Sequence, residues 1–268
     1  MPYKVHLLDA LTPVEWSQAT WRVEGVGVPI EDCPFERVHA LMLAHLPRGG
    51  LVLDAGCGSA KWPIYLRSLG YRVVGVDVSR DACALARSAD PDLGVAVADV
   101  RRLPVKRHSV DAVLSLGVVE HDERGPDHAL AEVRRVLRPG GLLVLSVPYD
   151  NPLRRSVVNP LLSFVTWRRR RAGMRLGFVE YRFTAREVCR FLTDAGFAVV
   201  SVSPNDYAPP RTVGLWVDWQ NLTFNPFARL AREDLFLLPR PWRRLALALM
   251  RLSPWTAAGE VAVVARAS

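Results

Sequence analysis

The chain has 268 residues, half of them apolar, and a formal net charge of +8, which predicts one α/β domain with additional segments. The first ten residues hold no secretory apolar core, and no stretch approaches the ~20 apolar residues of a transmembrane helix, so we expect a cytoplasmic protein. The four cysteines are far apart and form no C-x-x-C pair, which argues against a zinc site or a disulfide framework.

Strands and helices alternate over the first half of the chain. Residues 1–34 show little periodicity and are interpreted as an N-terminal extension or lid. The core is predicted over 35–148, with helices at 35–46, 60–69, 79–88 and 127–137 and strands at 51–54, 72–77, 94–98, 110–116 and 142–147. Such alternation predicts right-handed βαβ units and a doubly wound parallel sheet.

The alternation is interrupted twice after the fifth strand. An Arg-rich insertion is predicted over 149–183, followed by a core helix and strand over 184–202. Thr184 and Glu187 fit a capping box at the start of that helix. A second insertion, 203–258, precedes a last core strand within 259–268. Because both insertions follow strands of a parallel sheet, we expect them to cover its ligand-binding edge and to contact substrate.

A glycine turn follows the first strand, where Asp54 precedes Gly56, Cys57 and Gly58. Only glycine allows a backbone to turn so sharply and lie against a ligand. The dinucleotide fingerprint requires a third glycine where this chain has Lys61, so that pattern fails. An acid at the turn repels phosphate but suits a cationic ligand.

Acidic residues end the next two strands. Asp77 ends the second strand, where a carboxylate can accept hydrogen bonds from both hydroxyls of a ribose, although an acid here could also cap the following helix. Asp99 follows the third strand and could equally be an exposed turn acid. The fourth strand ends at Leu116 and Gly117, whose carbonyl groups can accept from an ammonium.

These motifs resemble, in order and spacing, those of class I S-adenosylmethionine-dependent methyltransferases. The resemblance extends to the phrase from Gly117 to His121 and to the Pro139-Gly140-Gly141 turn. It implies S-adenosylmethionine as cofactor, a role for Asp99 and Val100 at the adenine, and a Rossmann-like, seven-stranded, mostly parallel sheet with an antiparallel last strand. The predicted cofactor-binding residues are Asp54, Gly56, Cys57, Gly58, Asp77, Val78, Asp99, Val100, Leu116 and Gly117.

His121 is the candidate catalytic residue. An imidazole titrates near neutrality, so it can take a proton from a hydroxyl or amine acceptor. It could instead anchor the loop after the fourth strand, because in-line methyl transfer does not require a dedicated base. No metal ligands are predicted.

The net positive charge is concentrated in residues 151–190, which contain ten Arg and two Glu. The run of Arg168, Arg169, Arg170 and Arg171 follows an apolar stretch, 161–167. It could bind an anionic substrate, rest on an anionic membrane, follow a nucleic acid, or form a solvated lid.

We therefore predict methyl transfer to a small-molecule acceptor. The phrase from Val147 to Arg155 resembles methyltransferases that we associate with glycan and lipid-glycan pathways, which implies an anionic, glycan- or lipid-linked acceptor. Peripheral membrane contact is compatible with this interpretation, whereas nucleic acid is not the expected partner because no RNA-binding module is present. An RNA methyltransferase and a catalytically silent cofactor-binding subunit are the alternatives.

Overall fold

The computed structural model describes residues 2–8, 30–208, 210–223 and 237–268. Its strands are β1 (Tyr3–Leu8), β2 (Leu51–Ala55), β3 (Arg72–Asp77), β4 (Val95–Val97), β5 (Val110–Leu116), β6 (Leu137–Pro148), β7 (Leu176–Arg182), β8 (Phe197–Asn205) and β9 (Glu260–Ala267). Its α-helices are α1 (Arg37–His45), α2 (Lys61–Ser68), α3 (Arg80–Ala89), α4 (Asp127–Val136), α5 (Asn159–Arg171), α6 (Ala185–Asp194), α7 (Val213–Thr223), α8 (Arg240–Leu252) and α9 (Pro254–Ala257). Short 3₁₀ turns cover Ile30–Phe35 and Val119–His121, and a π-turn covers Arg154–Val158.

Seven strands form one sheet in the order β4-β3-β2-β5-β6-β9-β8. The first five in that order are parallel, whereas β9 runs antiparallel to both β6 and β8. The strand order reverses between β2 and β5, which creates the crevice where doubly wound sheets bind ligands. The predicted fold class is confirmed, including the antiparallel last strand.

Helices cover both faces of the sheet because its strands are apolar on both sides. Val38 and Met42 of α1 pack with Trp62 and Leu66 of α2 on one face. On the other face, α4 and α6 contribute a second cluster that includes Leu130, Val133, Val188 and Leu192. The core therefore has two layers, one on each face of the sheet.

The capping box at the start of α6 is present as predicted. The N–H of Thr184 donates to Glu187 Oε2 over 2.9 Å, and the Glu187 N–H donates to Thr184 Oγ1 over 3.3 Å. This reciprocal pair satisfies backbone donors that the first helical turn leaves open.

Two strands lie where the sequence pattern predicted none. Within the N-terminal extension, β1 pairs antiparallel with β7 of the Arg-rich insertion, from Tyr3 opposite Arg182 to Leu8 opposite Leu176. The partners are far apart in the chain and no hairpin turn joins them, so local periodicity carries no signal of the pairing. The rest of the predicted extension, up to residue 29, lies outside the described residues.

A buried ionic network fastens the insertions to the edge of the sheet. Asp218 of α7 lies between two guanidinium groups, with 2.8 Å from its Oδ2 to Nε of Arg154 and 2.9 Å from its Oδ1 to Nη1 of Arg182. All three side chains are buried. Arg154 also donates to the carbonyl oxygens of Tyr149 and Gly259, both over 2.8 Å. The network thus joins β7 and α7 to the ends of β6 and β9.

Asp206 provides a second attachment at the same edge. Its carboxylate accepts from the backbone N–H groups of Tyr207 and Val213, both over 2.7 Å, and of Gly259 over 2.9 Å. A side chain on Gly214 would collide with Gly259, because its Cβ would lie 2.4 Å from the Gly259 Cα atom. The second insertion is therefore held close against the start of β9.

We predict that Asp218→Asn lowers the free energy of unfolding by about 3–5 kcal/mol, because it leaves the buried Arg154 guanidinium without a counter-charge and leaves Arg182 with only its longer pair to Glu180. Chemical denaturation at neutral pH measures the loss. Asp194→Asn is the matched control, since Asp194 forms a solvent-exposed pair with Arg190 and its loss should change stability by less than about 1 kcal/mol. Equal effects of the two substitutions would contradict a structural role for the network.

Candidate functional site

The carboxyl ends of the parallel strands bring the predicted motifs together. β2 pairs with β3 on one side and β5 on the other, with Asp54 opposite both Gly75 and Leu114. The glycine turn after β2 therefore lies between Asp77, at the end of β3, and Gly117, just after β5. Neighbouring strands are about 4.8 Å apart, so these groups line one crevice.

The glycine turn is fixed by backbone contacts on both sides. The N–H groups of Gly56 and Cys57 donate to the carbonyl oxygen of Val76 over 2.8 and 2.9 Å. Gly56 has φ +96°, a conformation that favours glycine. A Cβ on Gly56 would lie 2.3 Å from Cγ2 of Val118. The sequence analysis attributed this glycine to the approach of a ligand, whereas the space beside its Cα is occupied by Val118.

Asp77 is buried and oriented by two backbone donors. Its Oδ2 accepts from the N–H of Gly58 and its Oδ1 from the N–H of Ser79, both over 2.8 Å. Burial raises the pKa of this carboxyl, and the hydrogen bonds oppose that rise. Ser79, not Asp77, caps α3 by accepting from the Ala82 N–H over 3.2 Å. Asp77 thus connects the glycine turn to β3 and keeps lone pairs that can accept ligand hydroxyls.

Asp54 is buried behind the turn. Desolvation raises the pKa of its carboxyl to about 8, the negative charge of Asp77 adds to the rise, and the ammonium of Lys61 opposes it. The group therefore keeps its proton at neutral pH in the free protein. A cation bound at the crevice would favour the ionised form. The preference of this acid for a cationic ligand, inferred from the sequence, stays a prediction.

The remaining predicted cofactor residues that follow β3 and β4 lie at the same edge of the sheet. Asp99 follows β4 and is half-exposed, and its carboxylate forms an ion pair with Arg101 over 2.6 Å, which lowers its pKa. Val78 and Val100 lie next to the two strand-end acids. A ligand amine that hydrogen-bonds to Asp99 would share this carboxylate with Arg101.

Cys57 and Gly117 have structural explanations in addition to their predicted roles. Cys57 is buried, its Sγ fills the space above Gly75, and burial raises the pKa of its thiol. Gly117 has φ +69°, and its N–H donates to the carbonyl oxygen of Ser146 over 3.0 Å. This bond fixes the chain that leaves Leu116 at the edge of the sheet.

Glu120 and His121 form a pair directly after Gly117. His121 Nδ1 lies 2.8 Å from the carbonyl oxygen of Val179 in β7. A carbonyl only accepts, so Nδ1 carries the proton and Nε2 of the neutral ring presents its lone pair. Nε2 lies 3.8 Å from Oε1 of Glu120. His121 therefore anchors the loop to β7 and also keeps a nitrogen able to accept a proton.

The sequence analysis included Glu120 only as part of the phrase from Gly117 to His121, and the structure gives it a more specific environment. Its side chain is fully buried, and its Oε2 has no hydrogen-bond partner among the described residues. Desolvation raises its pKa well above the usual range, and the charges of Glu180 and Glu260 add to the rise. No local pattern predicts the burial of Glu120, because that burial depends on contact with β7 from the first insertion.

The second missed group lies further along the same edge. Glu260 begins β9 opposite Pro148 of β6 and Asn205 of β8. Asn205 Nδ2 donates to its Oε2 over 2.7 Å, and burial raises the pKa of Glu260 to about 7. Its carboxyl titrates near neutrality, but its position beside the crevice follows only from the register of the antiparallel strand.

The chain before α1 contacts both α2 and the second insertion. Glu36 forms a β-bridge with Tyr207 and an ion pair with Lys61, the residue at the start of α2. The Lys61 ammonium also lies 5.8 Å from the centre of the Tyr207 ring. These contacts connect the chain before α1, the glycine turn and the second insertion.

The four consecutive arginines do not share one environment. Arg169 is buried, whereas Arg168, Arg170 and Arg171 are exposed, and the Arg171 guanidinium lies 4.8 Å from the centre of the Trp167 ring. They end α5, whose first residue, Asn159, donates to Asp150 Oδ1 over 2.7 Å. At 1.5 Å per residue, Arg170 lies about 16 Å along the helix from Asn159. Their predicted role in substrate binding stays a prediction.

Comparisons with known proteins agree with this arrangement of motifs. Residues 53–145 match a family model described as a methyltransferase domain. A probable S-adenosylmethionine-dependent methyltransferase of Mycolicibacterium smegmatis is 30% identical over 162 residues, which cover 59% of this chain and 55% of that protein. The malonyl-[acyl-carrier protein] O-methyltransferase of Pectobacterium atrosepticum is 36% identical over 118 residues, which cover 44% and 46%. The chain thus spans about half the length of these relatives.

The fold is also found among solved structures. A SAM-dependent methyltransferase of Methanosarcina mazei superposes with a TM-score of 0.58 at 18% identity, covering 85% of this chain and 96% of that one. At this identity the likeness concerns the fold alone.

We predict that Asp54→Asn changes how stability depends on pH. The pKa of Asp54 in the folded protein, about 8, exceeds its ordinary value of 3.8. The contribution of this group to the free energy of unfolding is therefore fully present below pH 4 and is lost as the pH rises through 8. Asparagine does not ionise. Between pH 5 and pH 8, the free energy of unfolding of the variant should therefore rise by about 2–4 kcal/mol relative to that of the wild type. Urea unfolding without cofactor measures this difference. Asp92→Asn, at an exposed acid, is the control, and parallel curves for all three proteins would refute the buried, protonated state.

Proposed function

Because this chain belongs to the class I S-adenosylmethionine-dependent methyltransferase family, we propose that it transfers a methyl group from S-adenosylmethionine to a small-molecule acceptor by in-line displacement. The observation that carries the proposal is the buried Asp77 carboxylate, held against the glycine turn at the reversal point of the sheet. When bound, the cofactor supplies an electrophilic methyl group on a sulfonium. The protein has to hold it, exclude water and accept a proton.

The residues of the crevice fit such a ligand. We assign the ribose hydroxyls to Asp77 and the adenine to Asp99 and Val100. The carbonyl groups next to Gly56 and Gly117 suit an ammonium group, and the buried Asp54 provides a carboxyl that ionises in response to positive charge. A dinucleotide would instead bring negative phosphate groups, which cannot pair with Asp54 in its ionised form.

The acceptor proton is assigned to Nε2 of His121. Its Nδ1–H bond to Val179 fixes the ring, so Nε2 is the nitrogen that can take the proton while the acceptor attacks the methyl carbon. The imidazolium formed would lie beside Glu120, whose Oε1 is 3.8 Å from Nε2, and its positive charge would favour ionisation of this carboxyl. The pair therefore supports a general base at this position.

We further propose an anionic, glycan- or lipid-linked acceptor that enters between the insertions. Arginine, leucine and aromatic residues are interleaved from Leu153 to Arg171, which suits a molecule that combines a negative group with an apolar part. The ionic network around Asp218 holds this segment next to the carboxyl edge.

We expect Asp77→Ala to weaken S-adenosylmethionine binding by about 2–4 kcal/mol, since two charge-assisted hydrogen bonds to the ribose are lost. Titration calorimetry with S-adenosylmethionine and S-adenosylhomocysteine measures the effect. Asp77→Asn keeps one oxygen to accept from the Gly58 N–H, so it separates the effect of losing the charge from the effect of loosening the glycine turn. Asp92→Ala is the surface control. Unchanged affinity in a folded Asp77→Ala protein would remove the ribose assignment and the proposal with it.

A second experiment separates a base from an anchor at position 121. In His121→Asn the amide can still donate to Val179, but no nitrogen accepts a proton, so methyl transfer should slow by about 10²–10⁴-fold with unchanged cofactor affinity. The readout is radiolabel carried from methyl-labelled S-adenosylmethionine into the small-molecule fraction of a cell extract, followed against pH. Glu120→Gln should retain activity and shift the acidic limb of the curve of methyl-transfer rate against pH. A wild-type rate in His121→Asn would leave His121 as an anchor only.

A further inference from the structure

One side of α5 and of the π-turn before it exposes a continuous apolar stripe. Val157, Leu161, Phe164 and Trp167 are 46%, 48%, 55% and 50% exposed. Their spacings of four, three and three residues place them on the same side of the helix. We call these four residues the outer stripe. Val158 and Leu162, on the opposite side, are buried against the protein, so core packing does not explain the outer stripe.

The outer stripe ends in ordered aromatic and basic groups. Phe164 and Trp167 stack with their ring centres 5.8 Å apart, and the Arg171 guanidinium covers the Trp167 ring. Aromatic rings with adjacent arginines are typical of segments at the boundary between lipid tails and headgroups.

The segment that carries the outer stripe contains charged residues of one sign only. From residue 151 to 179 the chain contains seven Arg and no Asp or Glu. Arg168, Arg170 and Arg171 form no ion pair with any acid in the part of the chain that the structure describes. One basic residue at a helix C-terminus is explained by the helix dipole, but that effect is confined to the last turn and does not account for the adjacent apolar groups.

A second helix, α8 in the second insertion, also combines exposed apolar side chains with arginines. In α8, Trp242, Leu245 and Leu252 are exposed, and Arg243, Arg244 and Arg251 lie between them in the sequence. The Trp242 ring packs on Trp219 of α7, with 5.7 Å between the ring centres, and α7 in turn packs against α5. No described helix is long and apolar enough to cross a bilayer.

We propose that the outer stripe and the exposed arginines of α5 dock the protein on a bilayer surface that contains anionic phospholipid. The apolar side chains would enter the region below the headgroups, and the arginines would pair with lipid phosphates. A second copy is a poorer occupant, because two such faces would bring the exposed Arg168, Arg170 and Arg171 of both copies, six arginines in all, together without a paired acid. A nucleic acid would satisfy the arginines but not the four apolar side chains.

Co-sedimentation with phosphatidylcholine vesicles, with and without 30 mol% phosphatidylserine, tests the proposal. The wild type should bind the anionic vesicles, bind the neutral ones far less, and be partly released by salt. Changing Arg168, Arg170 and Arg171 to Gln should weaken binding on the order of a hundredfold, since each arginine near the surface adds about 1 kcal/mol. Changing Leu161, Phe164 and Trp167 to Ser should abolish it.

Matched controls use exposed residues elsewhere. Val200→Ser removes an exposed apolar side chain from β8, and Arg190→Gln removes an exposed arginine from α6. Neither should change vesicle binding, and unfolding curves should show that every variant folds. Equal binding to both vesicle types, full binding by the Ser variant, or a dimer in light scattering that the Ser variant abolishes would overturn the proposal. So would tighter binding to a nucleic acid duplex than to the anionic vesicles.

Discussion

A carboxyl group that loses its water must find a cation, accept hydrogen bonds or keep its proton, and this constraint organises the edge of the sheet. Five acids are buried there, namely Asp54, Asp77, Glu120, Asp206 and Asp218, and Glu260 beside them is partly buried. Asp218 is held by two guanidinium groups, and Asp206 accepts several backbone N–H groups. Both stabilise the insertions over the edge. The elevated pKa values of Asp54 and Glu120 show the third outcome, a retained proton, next to the crevice.

The way in which each acid is stabilised, by fixed partners or by a retained proton, separates acids that stabilise the fold from acids available to a ligand. A carboxylate already satisfied by fixed partners has little to gain from a bound molecule. A buried carboxyl with an elevated pKa gains a counter-charge when a cation arrives, so it contributes to selectivity for positive ligands. Gly56 packs directly on Val118, so the glycine turn and the loop that carries His121 are in direct contact.

The two sides of α5 have different consequences for the proposed function. Its inner side belongs to the polar attachment around Arg154 and Asn159, which fixes the helix at the carboxyl edge. Its outer side carries apolar and basic groups that nothing in the described structure covers. On a lipid surface, the first insertion would face the membrane on one side and the crevice on the other. A lipid-linked acceptor could then reach the crevice without leaving the bilayer.

The sequence by itself determined the sheet and the position of the crevice. Strand periodicity, the glycine turn and strand-end acids such as Asp77 are local patterns, and parallel topology brings the carboxyl ends of such strands to one edge. The capping box at Thr184 is equally local and is present as predicted.

Only the tertiary structure decided how these groups are used. The pairing of β1 with β7, the meeting of Arg154 and Arg182 at Asp218, and the burial of Glu120 each join segments that are far apart in the chain. The four arginines after Trp167 look equivalent in sequence, yet Arg169 is buried and its neighbours are exposed. Burial and charge compensation depend on which distant segments pack together, and no local pattern of residues contains that information.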